Sequence, residues 1–275
     1  LNQKKHKKYS LDISIFESID LNFLENLNLL DRFDTKFVVN FNSLNQLLFE
    51  LKNDFYILEI NNFRIFNYTS VYYDDNAYFF YYQHHNNAAN RLKIRNRFYH
   101  ETEKLFFEIK QKLTSQKTIK FRKLTNESNI VENFINDKSY DNLKEIKNLD
   151  LVEKLIIKYK RITLISKDLN EKITIDIDLE FENSANSILD NNSLYKFSNE
   201  IQLKDNILPN ICVIEVKQIK AHYNTNIFQL LRNLNYKADI SFSKYCIGLI
   251  LTGENVKYNL FKPTLLQIEK VAKNY

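Results

Sequence analysis

Residues 91–97 read Arg91-Leu92-Lys93-Ile94-Arg95-Asn96-Arg97, a run with a cation at every second position. A β-strand sends alternate side chains to opposite faces, so Arg91, Lys93, Arg95 and Arg97 share one face while Leu92 and Ile94 take the other. Four like charges in a row repel one another. Water on an exposed face accommodates them, and so does a polyanion laid along the row. The strands on either side decide between the two.

Other runs repeat the parity. RFDTKF (32–37) sets Arg32, Asp34 and Lys36 against Phe33, Thr35 and Phe37. FFEIKQK (106–112) sets Glu108, Lys110 and Lys112 against Phe107 and Ile109, and KTIKFRK (117–123) aligns Lys120 with Arg122. YKRIT (159–163) aligns Tyr159, Arg161 and Thr163, and VIEVKQ (213–218) aligns Val213, Glu215 and Lys217. ITIDIDLEFE (173–182) reads as one acidic face, Asp176, Asp178, Glu180 and Glu182, opposite an apolar one. SFSKYC (241–246) puts Phe242 and Lys244 together. Each alone is an ordinary half-buried antiparallel strand. Jointly they carry more charged faces than one solvated sheet surface explains. A closed antiparallel β-barrel accounts for them, with charged faces lining the lumen and apolar faces packed outward beneath helices. Such a lumen holds anions, and carboxylates among its cations are candidates to hold a divalent metal.

Composition narrows the chemistry. The chain has 275 residues, 44% hydrophobic and 14% aromatic, which suits a globular fold with a substantial core. Its net charge of +5 gives little direction by itself, so the local pattern carries the argument. Cys212 and Cys246 are the only cysteines, too few for a disulfide framework or a four-cysteine zinc site, and are expected as buried, reduced thiols. With two glycines in the whole chain, neither GxGxxG nor GxxxxGK[ST] occurs. Phosphate binding must therefore come from side chains. No apolar run is long enough to cross a bilayer, and a cytoplasmic chain with no membrane partner is expected.

Periodicity predicts one α+β domain over 1–275, mainly antiparallel, with an N-terminal helical segment in 1–30 and a C-terminal helix in 263–275. Helices are expected at 11–30, 43–53, 126–150 and 223–235. Strands are expected at 32–40, 55–60, 63–74, 77–83, 90–99, 104–113, 117–123, 155–166, 171–182, 210–218 and 240–252, with a polar loop at 183–207. His6, His84, His85, His100 and His222 read as solvated or structural, and Tyr72, Tyr73, Tyr78, Tyr81 and Tyr82 as packing residues.

The ordered series DRFDTKF, YDDNAYFFYYQHHNN, NRLKIRNRFY, FEIKQK, KTIKFR, YKRITL, ITIDIDLEFE, VIEVKQ and SFSKYCIGL spans about residues 30–252. It resembles the VTC domain, the polyphosphate polymerase branch of the CYTH or triphosphate tunnel superfamily, in its stand-alone bacterial form. Arg32 and Asp34 stand at the acidic positions of the wider superfamily's ExExK signature, as is usual in the VTC branch. The resemblance implies a tunnel-shaped barrel with helices outside. It also implies transfer of the γ-phosphoryl of ATP or another nucleoside triphosphate to inorganic polyphosphate, with Mn2+ or Mg2+ as cofactor. By the same resemblance Lys36, Arg95, Arg97, Lys110, Arg161 and Lys244 grip phosphates, Lys120 and Lys217 are additional members, and Glu215 holds the metal with Asp176 as a further ligand. Arg91 and Lys93 join on strand parity, and Arg122 through its alignment with Lys120. Two other functions fit the same tunnel: hydrolysis of tri- or polyphosphate, and non-catalytic binding of polyphosphate or RNA. A carboxylate among the cations argues against a simple anion clamp, and nucleic acid is not an expected partner.

Overall fold

The computed structural model describes residues 11–25, 33–113, 118–125, 146, 149–184, 208, 210–219, 222–239 and 241–273. A short β1 (Ser18–Ile19) and α1 (Leu21–Glu25) precede β2 (Phe33–Asn40), α2 (Leu44–Leu51), β3 (Phe55–Leu58) and β4 (Phe66–Asp74). Helix α3 (Phe79–His85) leads into β5 (Arg91–Tyr99), β6 (Lys104–Lys112) and β7 (Thr118–Thr125). Two long strands follow, β8 (Val152–Ser166) and β9 (Glu171–Asn183), then β10 (Ile211–Gln218). Helices α4 (Asn226–Asn233), α5 (Lys244–Leu251) and α6 (Lys262–Lys273) complete the chain.

Eight strands form one antiparallel path in the order β2-β10-β9-β8-β4-β5-β6-β7. The length of β8 lets it serve two neighbours on one edge: β4 pairs with Val152–Arg161 and β3 with Leu164–Ser166. β1 then adds to β3 in parallel.

Strand parity places the apolar residues. Phe37, Val39, Ile162, Leu164, Ile173, Ile175, Ile214 and Val216 cover the outer face of β2, β10, β9 and β8. The α2 stripe Leu44, Leu47, Leu48 and Leu51 recurs at helical spacing, is wholly buried, and packs on that face beside Ile227 and Leu231 of α4. A second outer cluster joins Leu92, Ile94, Phe107 and Ile109. The third cluster lies on the opposite, inner face, where Val38, Leu155, Ile157, Phe181 and Val213 meet Ile247, Leu249, Leu265 and Ile268 of α5 and α6. Helix α5 thus sits against one end of the inner face.

The sheet rolls strongly toward that face. Lys110 on β6 is within electrostatic reach of Glu215 and Lys217 on β10 and of Asp34 and Lys36 on β2, at the other end of the strand path. Among the described residues no ladder joins β2 to β7, so hydrogen bonding does not complete the expected barrel. What stands is a rolled antiparallel sheet with α2 and α4 on its outside and α5 and α6 against its inside.

Four expectations are corrected. The strand expected at 240–252 is not found over 241–252, because Ser243 accepts a hydrogen bond from the Cys246 amide and caps α5. A run apolar on every side suits a buried helix as well as a buried strand. Residues 77–83 begin α3: Asp74 accepts from the amides of Phe80 and Tyr81, both at 2.9 Å, and Asp75 from that of Phe79 at 2.8 Å. Within 11–25 the helix is confined to Leu21–Glu25, where Asp20 accepts from the Phe23 amide at 2.9 Å; the preceding residues contribute β1. The acidic row of β9 is divided by a bulge at Asp178, which has φ 51° and lies where the register against β8 shifts. Before it Asp176 faces inward. Beyond it Phe181 does, and Glu180 and Glu182 turn outward to Lys158. The helix expected at 126–150 and the loop at 183–207 fall largely outside the described residues, as do Arg32, Leu27 and Leu30.

Gly248 marks the closest approach of α5 to the sheet. A Cβ there would stand 2.5 Å from Leu155 Cδ2 and 2.6 Å from Phe181 Cδ1. Gly248→Ala is expected to lower unfolding stability by about 1–3 kcal/mol despite the better helix propensity of alanine, as read from urea midpoints.

Candidate functional site

Cross-strand register assembles the inner face in rows. Lys36 of β2 lies opposite Glu215 of β10, which lies opposite Thr174 of β9. Val213 lies opposite Asp176, and Asp176 opposite Arg161. On the other half, Tyr72, Arg95, Glu108 and Arg122 form one row across β4 to β7, and Lys93, Lys110 and Lys120 a second. Ser70 and Arg97 pair in a third.

Two arginines are held side-on by carboxylates, one buried and one half-buried. Arg161 donates to Asp176 through Nε at 2.5 Å and Nη2 at 2.8 Å, and Lys244, from the first turn of α5, pairs with the same carboxylate. Asp176 is 1% exposed. Burial opposes its ionisation, but Arg161 and Lys244 outweigh it and hold the carboxyl well below the usual range. Both carboxylate oxygens are therefore engaged by cations. The rings of Tyr68 and Tyr159 stack at 5.2 Å, and Arg161 lies 5.5 Å from the first and 5.3 Å from the second.

Arg95 repeats the arrangement on β5. Its Nε and Nη2 reach Glu108 Oε2 at 2.7 and 2.6 Å, and Nη1 donates to Tyr72 Oη at 2.8 Å. One N–H on each terminal nitrogen remains, a fork of the shape that suits two phosphate oxygens. Glu108 also meets Arg122 at 3.4 Å and Arg97 at 3.9 Å. Burial raises the Glu108 pKa, but Arg95 and Arg97 dominate and bring it down to about 2. Burial likewise opposes ionisation of Tyr72, yet Arg95, Arg97 and Lys93 bring its hydroxyl down to about 8.

A carboxylate with a depressed folded-state pKa stabilises the fold above its unfolded value, and that stabilisation is lost as pH falls through the folded one. For Glu108 the window runs from about 4.5 down to about 2. The Glu108→Gln protein is expected to lack an acid-sensitive component on the order of 3 kcal/mol. Its stability should fall less steeply than wild type across that window in denaturant titrations.

The third carboxylate, Glu215, ion-pairs with Lys217. Burial disfavours its charge, while Lys217, Lys36 and Lys110 more than compensate and hold it well below the usual carboxylate range. Burial also lowers Lys93 to about 8, aided by Lys36 and Lys110. Beside Glu215, the buried hydroxyl of Thr174 has no hydrogen-bond partner, and neither does the buried hydroxyl of Tyr159.

A divalent cation fits this face only in a restricted way. Among the described residues no three His, Cys, Asp or Glu side chains gather. A single carboxylate, Glu215, next to the unpaired Thr174 oxygen suits a cation whose other ligands are substrate oxygens and water.

The structure brings Lys36, Arg91, Lys93, Arg95, Arg97, Lys110, Arg161, Lys217, Lys244, Glu215 and Asp176 to the inner face. Lys120 and Arg122 lie on the same side of edge strand β7, more exposed, with Arg122 3.6 Å from the centre of the Phe106 ring. Lys244 arrives from the capped end of α5, not from a strand. Sequence parity sets Glu108 and Tyr159 on this face but gives them no role in it; Tyr72 is expected there only to pack, and Tyr68 is not singled out. What parity does not show is that Glu108 and Tyr72 both engage the Arg95 guanidinium, a contact made across three strands.

By overall sequence, no curated protein matches. Among solved structures, a putative adenylyl cyclase from Hippeastrum, described as having a dominant triphosphatase activity, is 14% identical with a TM-score of 0.48, covering 83% of this chain and 99% of its own. A putative adenylate cyclase from Bacillus halodurans gives 11% identity and a TM-score of 0.45, with 74% and 88% covered. One from Vibrio parahaemolyticus gives 9% and 0.43, with 79% and 97% covered. The decisive match is to a family model. The VTC domain model aligns with residues 31–252, from the β2 row of Lys36 to the end of α5. The chain belongs to the VTC domain family.

Proposed function

We propose that this protein is a metal-dependent polyphosphate polymerase that transfers the γ-phosphoryl of ATP to the end of an inorganic polyphosphate chain. The observation that carries the reading is the inner face itself. Arg95, Arg97 and Arg161 stand with Lys36, Lys93, Lys110, Lys217 and Lys244 around a surface that holds only a few carboxylates. Family membership supports the transfer of phosphoryl groups between phosphates on that face.

Phosphoryl transfer asks little covalent chemistry of a protein, and positioning and charge neutralisation supply most of the catalysis. The outward forks of Arg95 and Arg161, fixed by Glu108 and Asp176, would orient donor and acceptor phosphates. The lysines would offset the charge that builds on the transferred group. Glu215 would hold Mn2+ or Mg2+, which would supply positive charge and Lewis acidity to the phosphates. Asp176, with both oxygens engaged by cations, would act by aiming Arg161. The acceptor is already an anion, so no strong general base is needed. The sheet path would close into a tunnel around the chain. No helix is long and apolar enough to cross a membrane among the described residues, and the two buried free thiols suit a cytoplasmic protein.

Incubating the purified protein with ATP and Mn2+ tests this. Long-chain polyphosphate on a gel is the expected product. Free phosphate without polymer would replace the polymerase with a hydrolase. Retained tripolyphosphate binding with neither product would overturn both enzyme readings.

A further inference from the structure

Past Arg97 the inner face changes from cations to rings. Tyr68 and Tyr99 pair across β4 and β5, and Phe106 and Leu124 across β6 and β7. The Tyr68 and Tyr99 rings meet edge to face with centroids 4.8 Å apart, and those of Tyr99 and Phe106 at 5.3 Å. Both Tyr99 and Phe106 are half-buried, and Leu124 on the edge strand is 55% exposed. Arg122 lies over these rings. Its Cζ is 3.6 Å from the centre of Phe106 and 5.1 Å from that of Tyr99. The first distance is van der Waals contact, which a guanidinium reaches only by lying face-on over the ring. Glu108 Oε1, 3.4 Å from the Arg122 Nε, holds the group from its edge. Even so, the Arg122 side chain stays 47% exposed. Phe106 covers one face of the guanidinium, and the other face meets water.

We infer that this surface seats the base of the nucleoside triphosphate, stacked on the open face of Arg122 and flanked by Tyr99 and Leu124. Guanidinium planes and aromatic rings are the groups on which bases stack. The seat rests on a nucleotide being the phosphoryl donor, as proposed above, and adds where its base is held. Its position suits that donor. Glu108 stands between Arg95 and Arg122 in one cross-strand row and pairs with both. The Arg95 fork, which would take phosphate oxygens, is therefore two strands from the Arg122 plane, about 10 Å. A triphosphate and its ribose cover that span. Inorganic polyphosphate has no flat apolar part, and gains nothing from Phe106, Tyr99 or Leu124. The two arginines differ in what they offer: Arg95 turns N–H groups to its ligand, and Arg122 turns a plane.

Calorimetric titration with ATP and with methyl triphosphate, which has the triphosphate and no base, tests the seat. Wild type is expected to bind ATP about tenfold more tightly than methyl triphosphate, as for one stacked base. Arg122→Lys keeps the charge and loses the plane. It should bind ATP about tenfold more weakly than wild type and methyl triphosphate as wild type does. Phe106→Leu, which removes the ring beneath the guanidinium, should shift the two affinities in the same way. Unchanged binding of methyl triphosphate also shows that each variant is folded. Equal affinity of wild type for the two ligands needs no variant to interpret, and would overturn the seat while leaving the phosphate-binding face intact. ATP binding unchanged in both variants would do the same, and a wild-type dimer that both variants lose would then give the surface to a second copy. Equal weakening toward both ligands in Arg122→Lys would make Arg122 a phosphate ligand and overturn the seat. Failure of wild type to bind either ligand would overturn the phosphate-binding face and the seat together.

Discussion

The Glu215→Ala protein is expected to lose ATP-dependent turnover by about a thousandfold while still binding tripolyphosphate. Glu215 lies among Lys36, Lys110 and Lys217, with Asp34 also in electrostatic reach of Lys110 and Lys217. Removing it eliminates the proposed metal ligand. It also releases three lysines from an internal anion, so affinity for a polyanion should hold or rise. That combination, turnover lost and binding kept, separates a metal-holding role from a structural one. Steady-state phosphate or polymer release with Mn2+, set beside calorimetric binding of tripolyphosphate, reads both halves. Full activity in the variant would remove Glu215 from the metal assignment.

Arg161→Ala is expected to be the most damaging single change for the fold, and to weaken phosphate binding as well. It leaves Asp176, at 1% exposure, with Lys244 as its remaining ionic partner. Breaking a buried pair in this way costs about 3–5 kcal/mol, chiefly because the surviving charge is stranded. Replacing both partners with apolar residues, Arg161→Met with Asp176→Leu, should recover part of that stability, since Lys244 then lacks its carboxylate, without restoring affinity. Urea unfolding of the single and double variants, paired with tripolyphosphate titration, distinguishes the two effects. If the double variant bound as tightly as wild type, Arg161 would have no phosphate role.

The legible part of this molecule is the part governed by a period of two. In β5, β6 and β10 an alternation of charge and apolar side chains survives folding intact, because a one-residue slip would bury every cation. Arg91 to Arg97, Glu108 to Lys112, and Glu215 with Lys217 could therefore be placed on one face from the letters alone. Parity failed where the backbone departs from it. Asp178 inserts one residue into β9, which turns Glu180 and Glu182 outward and Phe181 inward. Nothing local in IDIDLEFE announces the bulge, since aspartate tolerates a positive φ without demanding one. In α5 the difficulty was different. Tyr245 to Leu251 is apolar on every side because the helix is buried on every side, and periodicity then carries no signal.

The side-on carboxylates have one further consequence. Glu108 and Asp176 act as tethered counterions that offset part of the charge of Arg95 and Arg161. A phosphate chain entering the face displaces fewer dissolved ions than the number of cations it meets. Its affinity should then decline with ionic strength more shallowly than a count of arginines and lysines implies, and the face should hold its ligand in the salt of a living cell.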